Sequence, residues 1–191
     1  LISDESINVI MFAFMVMMLP VGLAGMSVAT AIFPTLVDDI SQDDIVQFSQ
    51  ELFMAFRMTL WLVAPMAVVL IFLADGIIRV LLEYGEFDNE ATRLVAQTAQ
   101  ILAIGAVGYS LVEVLSRGFY ALSNTRIPVL LSAIAVALNL ILIPENNILT
   151  DYGISGINGA AFASMCSLSF WNLSMVLVIK NRFGFYTFYI P

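Results

Sequence analysis

The chain has 191 residues, of which 61% are hydrophobic and 12% are charged, and its mean hydropathy is +0.97. An ordinary soluble domain is about 45–50% apolar and about one quarter charged, so a water-soluble fold of this length is excluded. The formal net charge of −8 also argues against nucleic acid as a partner, because proteins bind phosphates through clustered cations.

Five apolar segments are long enough to cross a bilayer, for which about 20 residues are needed. The first carries Pro20, Gly22 and Gly25 in its middle, and the fourth opens with Pro128, where a proline in the first helical turn costs no hydrogen bond. No segment shows the alternation of apolar and polar residues that is typical of a membrane β-barrel strand. We therefore predict an all-α polytopic membrane helix bundle. The predicted spans cover about residues 7–33, 54–73, 91–115, 127–143 and 154–179.

The connections between these spans differ in character. Residues 38–51 are acidic and amphipathic, which predicts a surface helix separate from the spans. The apolar stretch 76–82 followed by Gly85 predicts a short interfacial helix that ends in a glycine turn. Residues 116–126 form a polar elbow with two arginines, and residues 144–153 form a turn-rich loop.

Lysine and arginine are distributed unevenly between the two ends of the spans, and this bias sets orientation in a membrane. Five basic residues collect on one side and two on the other: Arg57, Arg117, Arg126, Lys180 and Arg182 against Arg79 and Arg93. This distribution places the elbow with Arg117 and Arg126 in the cytoplasm. The chain also begins in mid-pattern, so we expect an N-terminal portion before Leu1.

The small residues of the first span have two interpretations. Within lipid, glycines let helix backbones approach closely, so Gly22 and Gly25 are packing positions by default. Pro20 removes a helical hydrogen bond and kinks a helix, so Pro20 with Gly22 and Gly25 is also a candidate hinge. The sequence leaves both interpretations open.

The third span carries a polar stripe, and such a stripe must face protein or water rather than lipid. One interpretation is that Glu113 pairs with Arg117 one turn later; the other is that the face lines an aqueous cavity. Asn139 on the fourth span is a weaker candidate, because interhelical hydrogen bonds explain most such residues. The residues of the stripe are Thr98, Gly105, Tyr109, Glu113 and Ser116.

Residues for catalysis or metal binding are scarce. The chain has no histidine, and its single cysteine, Cys166, lies in an apolar run. It therefore offers no imidazole base and no zinc cluster, and neither phosphate-loop pattern, GxxxxGK[ST] or GxGxxG, occurs. We expect a transporter rather than an enzyme, with no cofactor and no metal site. Asp43 and Asp44 are interpreted as a solvated acidic pair.

Three stretches resemble the lipid II flippase family (MurJ/MviN). The first is LPVGL at residues 19–23 leading to AIFPTL at residues 31–36, and the second is IIRVLLEYGEF at residues 77–87. The third and most specific is EVLSRGFYALSNTRIPV at residues 113–129, which is similar to the family's elbow between two spans. The resemblance covers about residues 5–180.

The resemblance implies one lobe of a two-lobe transporter. The family belongs to a larger superfamily of drug, oligosaccharidyl-lipid and polysaccharide exporters, whose two helical lobes enclose a cavity that opens alternately to each side of the bacterial inner membrane. Residues 1–191 would be a partial C-terminal lobe, and its partners would be membrane lipid, a missing N-terminal lobe and a lipid-linked sugar such as lipid II. Glu113, Tyr109, Thr98 and Asn139 would line the cavity.

One position departs from the family. Its members usually carry a cavity-facing arginine about five residues before the proline of this span, and the aligned residue is Met15. Trp171 and Asn172 near the end also resemble O-antigen and polysaccharide-unit flippases. The readings that remain open are a lipid II-type flippase, one of those flippases, a drug exporter of the same superfamily, a membrane scaffold, and a glycosyltransferase with its catalytic loop elsewhere.

Overall fold

A computed structural model describes residues 4–82, 89–142 and 156–183, and these residues form helices and turns without a strand. This confirms the predicted all-α membrane bundle. The Gly85 turn and the loop at 144–153 lie outside the described residues. The helices are α1 (Asp4–Pro20), a π-helical segment (Val21–Met26), α2 (Ser27–Ser41), α3 (Ile45–Leu82), α4 (Asn89–Ala121), α5 (Arg126–Leu142) and α6 (Gly156–Phe183).

Each predicted span corresponds to a helix. Three helical stretches are long and apolar enough to cross a membrane, and two shorter apolar helices follow them along the described part of the chain. The long stretches are Asn8–Ser41, Ile45–Val80 and Thr92–Ala121, and the shorter ones are Arg126–Ile141 and Ala163–Ile179.

The sequence predicted two separate surface helices, at residues 38–51 and 76–82, and both predictions are wrong. Residues 38–51 are divided between the end of α2 and the start of α3, and residues 76–82 simply continue α3. A helix keeps its internal hydrogen bonds when it leaves the hydrocarbon, so a change of polarity alone does not end it. Asp75 and Arg79 support this continuation, because they form an ion pair of 3.0 Å at the i, i+4 spacing.

The turn between α2 and α3 is closed by backbone hydrogen bonds. The amide of Asp44 donates to the carbonyl of Asp39 at 2.9 Å and that of Asp43 donates to Ile40 at 3.1 Å, the pair of bonds found in a Schellman motif. Asp43 takes a left-handed conformation with φ of 59°. Asp44 then caps the N-terminus of α3, since its Oδ1 accepts the amide of Gln47 at 2.9 Å. The acidic pair therefore builds the turn.

The elbow between α4 and α5 repeats this geometry. The amide of Asn124 donates to the carbonyl of Phe119 at 2.9 Å, and the amide of Ser123 donates to Tyr120 at 2.9 Å. Ser123 has a φ of 54°. Much of the predicted elbow is therefore the last turn of α4, which ends at Ala121, and α5 begins at Arg126.

Two apolar clusters form the core. One joins α1 and the π-helical segment to the second half of α3 and the first half of α4. The other joins the ends of α2 and α4 to the start of α3 and the last turns of α6, so both turns lie at the same end of the bundle. The largest fully buried side chains in this second cluster are Leu36, Phe48, Phe119 and Met175.

Polar side chains tie neighbouring helices together within these apolar surroundings. Gln100 of α4 donates from Nε2 to the carbonyl of Ile71 on α3 at 3.0 Å. Trp171 of α6 donates from Nε1 to the hydroxyl of Ser132 on α5 at 3.0 Å. Interhelical hydrogen bonds of this kind favour association where the alternative surroundings are hydrocarbon.

Candidate functional site

The third-span stripe lines part of a crevice between α1, α4 and α6. The crevice has a volume of about 120 Å³, and its wall is mostly apolar and uncharged. Three of the stripe residues, Thr98, Gly105 and Tyr109, belong to this wall. The remaining lining residues are Ile10, Phe14 and Met17 of α1, Leu102 of α4, and Ser164, Met165 and Leu168 of α6.

Thr98 and Tyr109 mark two levels of this crevice along α4. Thr98 is 2% exposed, and its hydroxyl donates to the carbonyl of Leu94 at 2.9 Å, so its proton is already used within the helix. The ring of Tyr109 meets the ring of Phe14 edge to face, with centroids 5.8 Å apart and planes at 80°. The aromatic contact fixes α1 against α4 beside the crevice.

Glycines of α4 let α6 approach closely. A methyl group at Gly105 would lie 3.5 Å from Met165, which is an ordinary contact, but one at Gly108 would lie 3.1 Å from Leu168. Asn172 of α6 also donates from Nδ2 to the carbonyl of Gly108 at 3.0 Å. Gly108, which lies between the stripe residues Gly105 and Tyr109, is therefore a position of helix–helix contact.

Asn139 reaches the crevice indirectly. Its Nδ2 donates to the hydroxyl of Ser164 at 2.9 Å, and Ser164 is one of the lining residues. Asn139 itself is not in the wall. The sequence alone did not single out Ser164 or the apolar residues of α1, because a serine among small residues and an apolar helix face carry no signal of their own.

Glu113 and Arg117 are not partners. No ion pair joins them in the part of the chain that the structure describes, and the guanidinium of Arg117 instead lies 5.6 Å from the ring centre of Phe33 on α2. Cations are attracted to the face of an aromatic ring, and here the ring comes from another helix. The interpretation of Glu113 and Arg117 as an i, i+4 ion pair is therefore wrong. Glu113 is half-buried and lies outside the crevice wall.

The candidate hinge contains two glycines in different surroundings. Pro20 ends α1, and the chain continues in π-helical form through Val21–Met26, so the hydrogen-bond pattern changes directly after the proline. A methyl group at Gly22 would meet nothing within 4 Å, whereas one at Gly25 would lie 2.6 Å from Ser110 Cβ. Gly25 is thus a packing position, and only Gly22 has room.

Met15 and Arg126 both point away from the bundle. Met15 is 69% exposed and does not line the crevice, and Arg126 is exposed at the first residue of α5. Among the described residues, no group of three acidic, cysteine or histidine side chains is placed to hold a metal ion. What the arrangement offers is close helix packing, an uncharged crevice and exposed helix faces.

A bundle of long apolar helices joined by short turns, with one helix interrupted by a π-helical segment, has the architecture of a polytopic helical membrane protein. The sequence profile of the family described as lipid II flippase MurJ matches residues 1–188. The chain therefore belongs to the lipid II flippase MurJ family, which is a family of transporters rather than of enzymes. It is a multi-pass protein of the bacterial inner membrane.

Individual relatives agree with this assignment. A probable lipid II flippase MurJ from Rhizobium tropici is 33% identical over 137 residues, which cover 72% of this chain and 26% of that protein. The lipid II flippase MurJ of Burkholderia cenocepacia is 31% identical over 128 residues, covering 67% of this chain and 25% of that protein. The chain thus spans about a quarter of the length of these relatives.

Solved structures show the same fold. A lipid II flippase MurJ in an inward closed conformation superposes with a TM-score of 0.76 at 26% identity, covering 92% of this chain and 36% of that one. An inward-facing multidrug resistance transporter of the MATE family superposes with a TM-score of 0.70 at 18% identity, covering 92% and 38%. The second likeness shows the fold alone.

Proposed function

We propose that residues 1–191 form most of the C-terminal lobe of a flippase that moves a lipid-linked oligosaccharide of the lipid II type across the bacterial inner membrane. The observation that carries this proposal is the family match over residues 1–188, which the likeness to a solved MurJ structure supports. In transporters of this architecture two lobes rock about a site near the middle of the membrane. No bond of the substrate is made or broken.

An exposed stripe on α1 supports a cavity-facing role for this helix. One face of α1 packs into the core, and the opposite face presents large apolar side chains at helical spacing. We assign this stripe to the surface that meets the substrate path or the second lobe. Flexible methionines suit a surface that changes partners during alternating access. The stripe consists of Met11, Met15 and Leu19 of α1 and continues to Leu23 of the π-helical segment.

The π-helical segment is the proposed place where α1 bends. Ser27 donates from its hydroxyl to the carbonyl of Gly22 at 3.3 Å, so a side chain assists this irregular turn. Gly22 has open space around it, while Gly25 is held against Ser110. Movement would then occur between Pro20 and Gly22, with Gly25 as the fixed point. π-Helical turns are frequent at functional sites.

Thr98, Tyr109, Asn139 and Glu113 take different parts in this proposal. Thr98 and Tyr109 line the uncharged crevice within the lobe, and Asn139 supports it through Ser164. Glu113 lies nearer the elbow and keeps a half-buried carboxyl outside the crevice. The sugar headgroup would therefore meet the exposed face of the lobe, and the crevice would adjust helix packing as the lobe rocks.

Export of a small solute is the second candidate. The likeness to a multidrug transporter favours this candidate at the level of the fold. In addition, Met15 stands where the lipid II flippase family usually carries an arginine, so one cation that would bind a pyrophosphate is missing. A flippase and a drug exporter differ in cargo rather than in architecture. The cargo must therefore be tested directly.

Replacement of a resident lipid II flippase tests the proposal. The protein is expressed together with the second lobe that the proposal requires, in bacteria whose own flippase is depleted. Lipid II on the outer face is measured with an added enzyme that cleaves only exposed lipid II. We expect cleavage and growth to be restored. If the protein is present in the membrane but lipid II is not cleaved, and the cells become resistant to cationic drugs, the result would favour the exporter.

Met15→Arg tests where the substrate passes. A guanidinium binds pyrophosphate strongly in surroundings of reduced polarity, so the variant should bind a pyrophosphate-linked lipid more tightly than the wild type does. Binding is compared with that of the same lipid lacking phosphates, and Met15→Leu is the uncharged control. If Met15→Arg binds both lipids as the wild type does while remaining folded, the α1 stripe does not face the substrate.

A further inference from the structure

A groove along the first half of α3 has no role in the proposed transport path. It has a volume of about 570 Å³, and all its described lining residues lie on α3. Polar groups occupy its outer end, and large apolar side chains occupy its inner end. The lining residues are Gln50, Glu51, Phe53, Met54, Arg57, Met58, Trp61 and Leu62.

Charges on α3 place this groove at the edge of the hydrocarbon. Arg57 and Asp75 are 18 positions apart with no charged residue between them. At a rise of about 1.5 Å per residue this separation is about 27 Å, close to the thickness of a bilayer's hydrocarbon. Arg57 therefore lies at the level of lipid phosphates. Trp61, one turn further in and 78% exposed, is the residue type enriched at this boundary.

Arg57 is available to bind a phosphate. Its side chain is exposed, and no ion pair joins it to an acidic residue within residues 4–82, 89–142 and 156–183. A cation held at the edge of an apolar surface is complementary to a phosphodiester whose acyl chains continue inward. The apolar side chains of Met58, Trp61 and Leu62 follow in that inward direction.

Glu51 adds a second charge further from the hydrocarbon. It lies six positions before Arg57, or about 9 Å along the helix axis, and accepts a hydrogen bond from Gln47 at 3.2 Å. Its carboxylate repels an anionic headgroup but attracts an ammonium group. From inside to outside, the groove therefore presents apolar side chains, the cation of Arg57, the apolar pair Phe53 and Met54, and the anion of Glu51. One headgroup meets both charges when these two long side chains extend toward each other.

We infer that this groove binds a zwitterionic phospholipid with a primary amine, phosphatidylethanolamine. Arg57 binds the phosphate, Glu51 accepts hydrogen bonds from the ammonium, and Trp61 with Leu62 packs against an acyl chain. Phosphatidylglycerol lacks the ammonium and meets Glu51 as a like charge. Phosphatidylcholine carries a cation without an N–H group, so it cannot donate a hydrogen bond to Glu51. The inference does not depend on which substrate the transporter carries.

Photocrosslinking in defined bilayers tests this inference. A benzophenone amino acid replaces Leu62 in the groove or, as a control, Phe72, which is 78% exposed on the same helix outside the groove. The bilayers contain phosphatidylcholine with equal amounts of phosphatidylethanolamine, phosphatidylglycerol and diacylglycerol. Mass spectrometry then measures the ratio of lipid adducts. Relative to Phe72, position 62 should favour phosphatidylethanolamine over phosphatidylglycerol about two- to fivefold, the size expected for a partly exposed ion pair.

Three variants separate the contributions. Glu51→Gln should remove the preference over phosphatidylglycerol, Arg57→Gln should remove the preference over diacylglycerol, and Arg79→Gln at the other end of α3 should change neither. Equal adduct ratios at positions 62 and 72 would overturn the inference. So would preferences that survive Glu51→Gln and Arg57→Gln, or crosslinks from position 62 to protein instead of lipid.

Discussion

Gly25 of the π-helical segment lies directly against Ser110 of α4. A methyl group at Gly25 would come within 2.6 Å of Ser110 Cβ and Oγ and 2.9 Å of its Cα. Real Cβ atoms do not approach other heavy atoms so closely, so one backbone must move before any side chain fits. The position where α1 changes its hydrogen-bond register is therefore also a point where it is clamped to α4.

The two glycines of this segment should respond oppositely to alanine. Gly25→Ala must push α4 away and should lower the free energy of unfolding by about 1–3 kcal/mol, the usual cost of overpacking. Gly22→Ala meets open space and should be neutral or slightly stabilising, since alanine favours a helix. Thermal unfolding in detergent micelles measures both. Ser110→Gly should partly rescue Gly25→Ala, and equal stability of the two alanine variants would contradict the clamp.

Two glutamines of α4 provide a second matched pair. Gln100 donates to the carbonyl of Ile71, whereas Gln97 is exposed. Gln100→Leu should therefore destabilise the protein by about 1 kcal/mol, the size of an interhelical hydrogen bond in membranes, and Gln97→Leu should not. Unfolding midpoints of the two variants in one detergent decide this. If Gln97→Leu lowered the stability more than Gln100→Leu, the helices would pack differently from this description.

Arg117 should be coupled to Phe33 and not to Glu113. Double-mutant cycles with Arg117→Gln and Phe33→Leu should give a coupling free energy of about 0.5–1 kcal/mol, as for exposed cation–π pairs. The cycle with Arg117→Gln and Glu113→Gln should give a value near zero. Exchange of the two charges, Glu113→Arg with Arg117→Glu, should then fail to restore the stability lost in Arg117→Gln. A strong coupling to Glu113 would reinstate the ion pair.

Two neighbouring aspartates in the turn between α2 and α3 should respond differently to replacement by glycine. Asp43→Gly removes a side chain from a left-handed conformation and should stabilise the fold by up to about 1 kcal/mol. Asp44→Gly removes the oxygen that accepts the amide of Gln47, so it should gain nothing and lose a few tenths of a kcal/mol. Ser123→Gly in the other elbow is the parallel case of Asp43→Gly. Destabilisation by both Asp43→Gly and Ser123→Gly would contradict this account.

The sequence by itself determined that lipid is the solvent for this chain and where the helices lie. An apolar run of about 20 residues is a local property, and backbone groups in hydrocarbon must bond within their own segment, so each run becomes a helix. The three stretches at residues 19–36, 77–87 and 113–129 together also indicated the family, because the order of residues within each stretch is a local property too. Helix ends were less predictable: α3 continued through residues 76–82 because polarity changed there without a helix breaker.

Only the tertiary structure decided which residues meet. Arg117 lies within reach of Glu113 along one helix, yet it stacks on Phe33 of another helix, more than eighty positions away in the chain. Gly22 and Gly25 read alike in the sequence and differ only because Ser110 of α4 stands opposite Gly25. The polar stripe on α4 likewise forms part of a crevice wall at Thr98 and Tyr109, while Gly108 beside it contacts α6. Helix periodicity assigns residues to faces, but the packing of distant helices determines what each face touches.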